Sequence, residues 1–125
     1  MRVLIFDWEE DLVDLLSYNL NLNGFEVITA ACEEDLLAKA AEEKPPLVMV
    51  SGFPDYQQQM EIIDNLEQLS PESLIINMAT QLEHTTEGMI CGPNLVCVGT
   101  PVEMRTLISI VKSHMSSAES LDKAS

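Results

Sequence analysis

The stretch Leu47-Val48-Met49-Val50, followed directly by Ser51-Gly52, decides the fold of this chain. Four apolar residues in a row, without alternation, are typical of a strand that is buried on both faces of a parallel sheet. In open α/β sheets, ligands and reacting groups lie at the carboxyl ends of such strands. The residue at that end is Ser51, with no acid beside it in sequence, and it is the first candidate functional residue.

Four further apolar runs surround this strand, and helical patterns lie between them. The runs are Arg2 to Phe6, Phe25 to Thr29, Leu74 to Met78 and Leu95 to Val98. Strands that alternate with helices favour a parallel sheet made of right-handed βαβ units. The sequence therefore predicts an α/β protein whose five-stranded parallel sheet is covered by helices on both faces.

Five helices are predicted between and after these strands. They run from about Glu9 to Leu22, from Glu33 to Glu43, from an Asp55 cap to Ser70-Pro71, within Gln81 to Cys91, and from Pro101 to Met115. Asp55 and Gln58 have the spacing of a capping box. The fourth helix is short or irregular, because it contains Thr85-Thr86 and Gly88 and few apolar anchors.

Acidic residues dominate the charge of the 125-residue chain, since 21 Asp and Glu against 6 Lys and Arg give −15. Such a surface repels nucleic-acid phosphates and anionic lipids. The apolar runs are also far shorter than the about 20 residues that span a membrane. We expect no nucleic-acid or membrane binding, one domain over residues 1–115, and a flexible tail or linker over 116–125.

Cys32, Cys91 and Cys97 are odd in number and lack CxxC spacing. The start of the chain enters the first strand directly and shows no signal-peptide pattern. These observations predict a cytoplasmic protein with reduced thiols. Each cysteine is expected to be buried as a small apolar residue.

Three segments carry a resemblance to a known family: Val3 to Leu12, Leu20 to Val27 and Glu43 to Val50. They resemble the receiver domains of bacterial response regulators, and the resemblance covers about residues 1–115. It implies a doubly wound, flavodoxin-like sandwich with strand order 2-1-3-4-5. It also implies a pocket in which an aspartate at the end of the third strand accepts a phosphoryl group from a histidine kinase, beside a bound Mg²⁺ ion.

The residues at the pocket positions depart from the family pattern. Asp7 keeps the first metal-binding acid, but Trp8 stands at the second and Ser51 at the phosphoacceptor position. Ala79 occupies the hydroxyl position, although a shift of one residue would offer Thr80. Thr100 replaces the lysine before Pro101, and the resemblance implies a cis bond between these two residues. The five positions Asp7, Trp8, Ser51, Ala79 and Thr100 together predict a degenerate phosphorylation pocket.

The chemistry of these replacements favours a module that does not accept phosphate. A serine hydroxyl needs a neighbouring base to attack, and His84 and His114 are predicted to lie elsewhere. Without the lysine and the second acid, Mg²⁺ bound by Asp7 and Glu9 alone would be weak. The sequence thus predicts a phosphorylation-independent signalling or protein-interaction module, not an enzyme, with no metal or cofactor.

Two alternatives stay open. One is a true receiver with an atypical acceptor, for which Asp7 and Asp55 are the candidates, although Asp55 also suits a helix cap. The other is a small-molecule-binding enzyme on a flavodoxin-like fold. A glycine-rich turn after the first strand would favour that alternative, and the sequence has bulky, anionic residues there.

The resemblance also implies a protein-interaction or dimer face made by the fourth helix, fifth strand and fifth helix. Its candidate residues are Val98, Met104, Ile108 and Met115. Trp8 has two interpretations from sequence: a plug or partner anchor at the old metal site, or a side chain partly buried against neighbouring loops.

Overall fold

A computed structural model describes residues 2–80, 89–100 and 103–113. In chain order its elements are β1 (Arg2–Asp7), α1 (Glu10–Leu22), β2 (Glu26–Thr29), α2 (Glu33–Glu43), β3 (Leu47–Ser51), α3 (Tyr56–Leu69), β4 (Leu74–Ala79), β5 (Met89–Gly92), β6 (Leu95–Gly99) and α4 (residues 104–113). The first three predicted helices and all five predicted strands are confirmed, with ends that differ by one or two residues.

One sheet with the order β2-β1-β3-β4-β6-β5 forms the centre of the fold. β2, β1, β3, β4 and β6 pair in parallel, which confirms the predicted order once β6 is recognised as the predicted fifth strand. Parallel neighbours need a crossover connection, and α1, α2 and α3 provide the crossovers that link β1, β2, β3 and β4.

The addition to the predicted sheet is β5, which pairs antiparallel with β6. The sequence predicts a helix within Gln81 to Cys91, and this is wrong from Met89 onward. β5 ends at Gly92 and β6 begins at Leu95, so that only the two-residue turn at 93–94 separates them. So short a connection joins antiparallel strands in a hairpin. The remainder of that predicted helix, residues 81–88, lies outside the described part of the chain.

The strands divide the core into two layers. Alternate side chains of β1 and β3, such as Ile5 and Met49, face α1 and α4. The intervening side chains, such as Leu4 and Val50, face α2 and α3. This two-sided burial explains why the strands read as unbroken apolar runs.

The helix ends follow local side-chain chemistry. Asp55 caps α3, since its Oδ1 accepts a hydrogen bond from the Gln57 N–H at 3.0 Å. The Gln58 side chain does not complete the capping box and instead donates to Glu33 Oε1 at 2.7 Å. This bond ties α3 to the first turn of α2.

Several predictions fall outside the described residues. These are the first residues of the last helix with the Thr100-Pro101 bond, the position of Met115, both histidines and the tail over 116–125. Among the residues that are described, Cys97 is buried as predicted, but Cys32 and Cys91 are exposed. No helix within the described ranges is long and apolar enough to cross a membrane.

Candidate functional site

Parallel pairing brings the carboxyl ends of four strands to one edge of the sheet. Asp7 ends β1 and is the register partner of Ser51, which ends β3. Ala79 ends β4 beside Gly99 of β6, and its carbonyl accepts a hydrogen bond from Thr100 N–H at 3.1 Å. The sheet therefore collects at one edge four of the five residues that the sequence singles out.

Asp7 and Ser51 form a buried hydrogen-bonded pair, called here the strand-end pair. The Ser51 hydroxyl donates to Asp7 Oδ2, and the Glu9 backbone N–H donates to Asp7 Oδ1 at 2.8 Å. Both carboxylate oxygens thus have a donor within the chain. A buried carboxylate is stabilised by such charge-assisted bonds, so Ser51 serves here as a hydrogen-bond donor to the acid.

Gly52 lets the chain turn directly against the strand-end pair. Its φ is +80°, in the left-handed region, where side chains are rarely tolerated. A Cβ built on Gly52 would stand 2.2 Å from Asp7 Oδ1 and 3.0 Å from Trp8 N. No side chain fits that space, so Gly52 sets the position of the Asp7 carboxylate.

Trp8 packs with two phenylalanines beside this turn. Its ring centroid lies 5.9 Å from Phe6 and 5.8 Å from Phe53, and these two rings are 5.4 Å apart. All three contacts are edge-to-face, the favoured geometry of aromatic pairs. Trp8 is nevertheless 50% exposed. Its ring is thus partly buried against its neighbours and keeps a large open surface.

A cleft of about 490 Å³ lies over the strand ends, between α1 and α4. It is lined by Asp7, Glu9, Leu12, Leu15, Leu16, Ser51, Gly52, Phe53, Pro54, Gln59, Met78, Ala79, Thr80, Thr100, Met104 and Leu107. Asp7, Ser51, Ala79 and Thr100 all belong to this lining, whereas Trp8 does not. Both candidates for the hydroxyl position, Ala79 and Thr80, border the cleft.

The charged side chains of this lining are both acidic, Asp7 and Glu9. No Lys or Arg occurs among these sixteen residues, and the larger part of the lining is apolar. A phosphoryl dianion is bound in proteins by cations and aligned donors. The described lining instead presents two carboxylates, which repel an anion.

Gln59 and Asn77 form a second buried polar set, the amide network, which sequence reasoning missed. Gln59 Nε2 donates to Asn77 Oδ1 at 2.6 Å and to the Met78 carbonyl at 2.9 Å, and Gln59 Oε1 accepts from Phe53 N–H at 3.3 Å. A signal was present, because Gln59 has helical i, i+3, i+4 and i+7 spacing with Ile62, Ile63 and Leu66, which are buried.

The predicted interaction face needs correction at two of its four residues. Val98 and Ile108 are buried in the core, and Met104 is partly buried against it. Val98 is inaccessible because its side chain lies in the core layer between the sheet and α4, clustered with Leu107 and Val111. Met115 lies outside the described residues.

The described residues do not fit the Mg²⁺ ion that the family resemblance implies. Octahedral Mg²⁺ needs several free oxygen ligands, but Ser51 and Glu9 N–H already engage both Asp7 oxygens. Trp8 replaces an acid. Over residues 2–80, 89–100 and 103–113, no three His, Cys, Asp or Glu side chains are grouped so as to hold a metal.

Comparison with known proteins places the fold. No protein-family model matches the chain. Over 67 residues it is 39% identical to the alkaline phosphatase synthesis transcriptional regulatory protein PhoP of Bacillus subtilis, and that match covers 54% of this chain and 28% of PhoP. The chain therefore corresponds to under a third of this curated relative.

Two crystal structures are similar over nearly their whole length. A two-component transcriptional regulator AraC from Clostridium phytofermentans has a TM-score of 0.77 at 18% identity, covering 100% of this chain and 99% of that one. A CheY-like receiver domain protein from Methanospirillum hungatei has a TM-score of 0.74 at 22% identity, covering 95% and 96%. The chain has the fold of response-regulator receiver domains.

Proposed function

We propose that this chain is a cytoplasmic, non-catalytic receiver-like module that signals by protein interaction without accepting phosphate. The observation that carries the proposal is the strand-end pair, in which Ser51 donates a hydrogen bond to Asp7. At this position the resembling family has an ionised nucleophile. Here a neutral hydroxyl serves as a donor that stabilises the remaining acid.

The electrostatics of the cleft support the same conclusion. Asp7 can accept the Ser51 proton, but transfer of a phosphoryl group to a hydroxyl also needs positive charge around the phosphoryl oxygens. The described lining supplies two carboxylates and no basic side chain. The chain therefore requires no metal and no cofactor in the role that we assign to it.

Incubation with Mg²⁺ and acetyl phosphate tests the proposal, with intact mass as the readout and a functional receiver domain run in parallel. We expect the control to gain one phosphoryl group and this chain to keep its mass. An acid-labile adduct mapped to Asp7 or Asp55 would establish the atypical receiver instead. A stable adduct on Ser51 would contradict the role of Ser51 as a hydrogen-bond donor.

The Ser51→Asp variant tests whether the missing acceptor aspartate alone prevents phosphorylation, or whether the residues at the other pocket positions also prevent it. We expect it to remain unphosphorylated, because Trp8 and Thr100 still occupy the positions of an acid and a lysine. Phosphorylation of this single variant would show that the other pocket residues still support phosphoryl transfer. The triple variant Trp8→Asp, Ser51→Asp, Thr100→Lys is the matched test of whether the scaffold alone can support the chemistry.

The surface best suited to a protein partner is an apolar stripe on α1, called here the α1 face. It consists of Leu12, Leu15, Tyr18 and Leu22, all of which are exposed, with Leu22 at 67%. Steps of three, three and four residues place these side chains along one side of the helix. Adjacent exposed apolar side chains in such a stripe are typical of interaction sites.

Charge around the α1 face indicates the chemistry of the partner. Glu10, Asp11 and Asp14 are exposed on the same helix, and α1 has no basic residue. The chain as a whole carries −15, which disfavours a second copy of itself through long-range repulsion. The partner we propose is a different protein with an apolar centre and a rim of Lys and Arg.

A photo-crosslinking residue at Leu15 tests the α1 face in a cell extract at several salt concentrations, and the exposed Glu61 on α3 is the control site. We expect a crosslink from position 15 alone, to a segment rich in apolar and basic residues, with a yield that falls as salt rises. Equal yield from Glu61, an acidic contact segment or a second copy of this chain would each contradict the assignment.

A further inference from the structure

The hairpin of β5 and β6 brings two of the three cysteines together. Met89 is the register partner of Cys97, and Ile90 that of Val96. The register then shifts, because Gly92 pairs with Leu95, so that Cys91 is the extra residue of a bulge. Cys91 and Cys97 are thus close neighbours across adjacent strands.

The surroundings of the two thiols differ strongly. Cys97 is 4% exposed, and the Asn77 amide Nδ2 lies 3.7 Å from its Sγ. Cys91 is exposed at the edge of the sheet, with its Sγ 3.6 Å from the Met89 carbonyl. Burial first, and then the hydrogen bond with the Cys91 thiol, raise the pKa of Cys97 to about 11. The two sulfur atoms are therefore within reach of each other, one open to solvent and one enclosed.

We propose that Cys91 and Cys97 are a thiol-modification site, which a small-molecule disulfide such as oxidised glutathione closes into an intramolecular disulfide between β5 and β6. The bond would join the bulge of the edge strand covalently to the interior of the sheet. This inference depends on the hairpin alone and is independent of the function proposed above.

The exchange proceeds in two steps with balanced atoms. Cys91, as thiolate, attacks one sulfur of oxidised glutathione; that S–S bond breaks, and one glutathione thiolate leaves. Cys97 then loses its proton to water and attacks the Cys91 sulfur, which expels the second glutathione. The protein loses two hydrogens and two electrons, and the small disulfide gains them as two thiols.

The rate of the second step, in which Cys97 attacks the mixed disulfide, should depend on pH. The described groups acting on the Cys97 thiol are Cys91 on β5 and the Asn77 amide on β4, and the Tyr56 hydroxyl of α3 lies 3.3 Å from that amide. Because the pKa of Cys97 is raised, little of it is thiolate at neutral pH. The mixed disulfide should accumulate at pH 7 and close about tenfold faster for each unit of pH above it, until the thiolate predominates.

The test uses the Cys32→Ser chain, which leaves only the two paired thiols, and follows intact mass after addition of oxidised glutathione. We expect a species with one glutathione, replaced with time by a monomer lighter than the start by two hydrogens, whose digest links Cys91 to Cys97. The Cys32→Ser, Cys97→Ser variant should stop at the glutathione adduct. The Cys32→Ser, Cys91→Ser variant should stay unmodified while folded.

Three results would overturn the proposal. One is a glutathione adduct on Cys91 that persists at pH 10. Another is a disulfide-linked dimer through Cys91. The third is that Cys97 in the Cys32→Ser, Cys91→Ser variant reacts with oxidised glutathione as fast as Cys91 does in the Cys32→Ser, Cys97→Ser variant. Such a rate would place the Cys97 sulfur in direct contact with solvent.

Discussion

The strand-end pair and the amide network are both buried polar sets against the central strands of one sheet, but they differ in charge. Asp7 and Ser51 include an ionisable acid and border the cleft. In the amide network, Gln59 and Asn77 are neutral and hydrogen-bonded among themselves and to the backbone.

That difference in charge separates a structural role from a chemical one. The neutral amide network holds α3 on the sheet, and its contribution is measured as a change in the free energy of unfolding. A carboxylate that borders a cleft is held by its hydrogen-bond donors, and what it can do chemically depends on which groups those donors are. The groups that hydrogen-bond to Asp7 are a serine hydroxyl and a backbone N–H, which hold the carboxylate in place at the ends of β1 and β3.

The largest expected effect comes from crowding the strand-end pair with Gly52→Ala. The new Cβ would meet Asp7 Oδ1 at 2.2 Å at a φ of +80°, so we expect a loss of about 3 kcal/mol or more in the free energy of unfolding. Urea denaturation measures this loss. Gly24→Ala is the control, because Gly24 also has positive φ, +89°, but nothing within 4 Å; it should cost about 1–2 kcal/mol. Equal losses would mean that Asp7 does not constrain the turn.

The next largest effect should come from the amide network. Gln59→Ala removes the partners of Asn77 Oδ1 and Phe53 N–H and should cost about 3 kcal/mol of unfolding free energy, because buried groups lose their hydrogen bonds. Thermal or urea unfolding measures it. Gln57→Ala, two residues away and exposed, should change stability by less than about 0.5 kcal/mol. A Gln59 variant as stable as the Gln57 variant would show that the network does not hold α3.

Ser51→Ala should have a smaller effect than either. It removes one of two donors to the Asp7 carboxylate and leaves the Glu9 N–H in place. The expected loss is about 1–2 kcal/mol of unfolding free energy at neutral pH. Urea denaturation at neutral pH measures this loss. A Ser51→Ala variant as stable as the unmodified chain would show that the hydroxyl does not stabilise Asp7.

The last effect concerns Cys97, which borders the amide network; it is absent at neutral pH and confined to alkaline solution. The pKa of its thiol rises from 9.0 to about 11 on folding, so between these values the unfolded chain binds fewer protons than the folded one. Stability should then fall as pH rises from 9 to 11 and stay unaffected below 9. Melting temperatures of the chain and of Cys97→Ala measure this, and the variant should lack that thiol's contribution. Identical slopes would contradict the raised pKa.

Most of the fold was predictable because local and long-range signals agree. The unbroken apolar run before Ser51 marked a central strand, and the cap at Asp55 set a helix start that the structure confirms. β5 could not be recognised in this way. A four-residue edge strand has no periodicity of its own, and only its pairing with β6 defines it.

The site was predictable as a set of positions but not as a set of interactions. Parallel strand ends had to meet, so Asp7 and Ser51 could be placed together from sequence. The bond between them depends on how closely Gly52 lets the chain approach, which no pattern of residue types records. Val98 was predicted on an interaction face, and its burial depends on how α4 packs against β6, which residue types along the chain do not record.

Trp8 determines where the tryptophan fluorescence of the protein originates. The sequence contains one tryptophan, and its half-exposed indole packs on Phe6 and Phe53, next to the turn at Gly52. The tryptophan fluorescence of the chain therefore originates beside the strand-end pair. Burial of this ring by a bound molecule shifts its emission toward the blue, so the unmodified protein carries its own reporter of binding beside the candidate site.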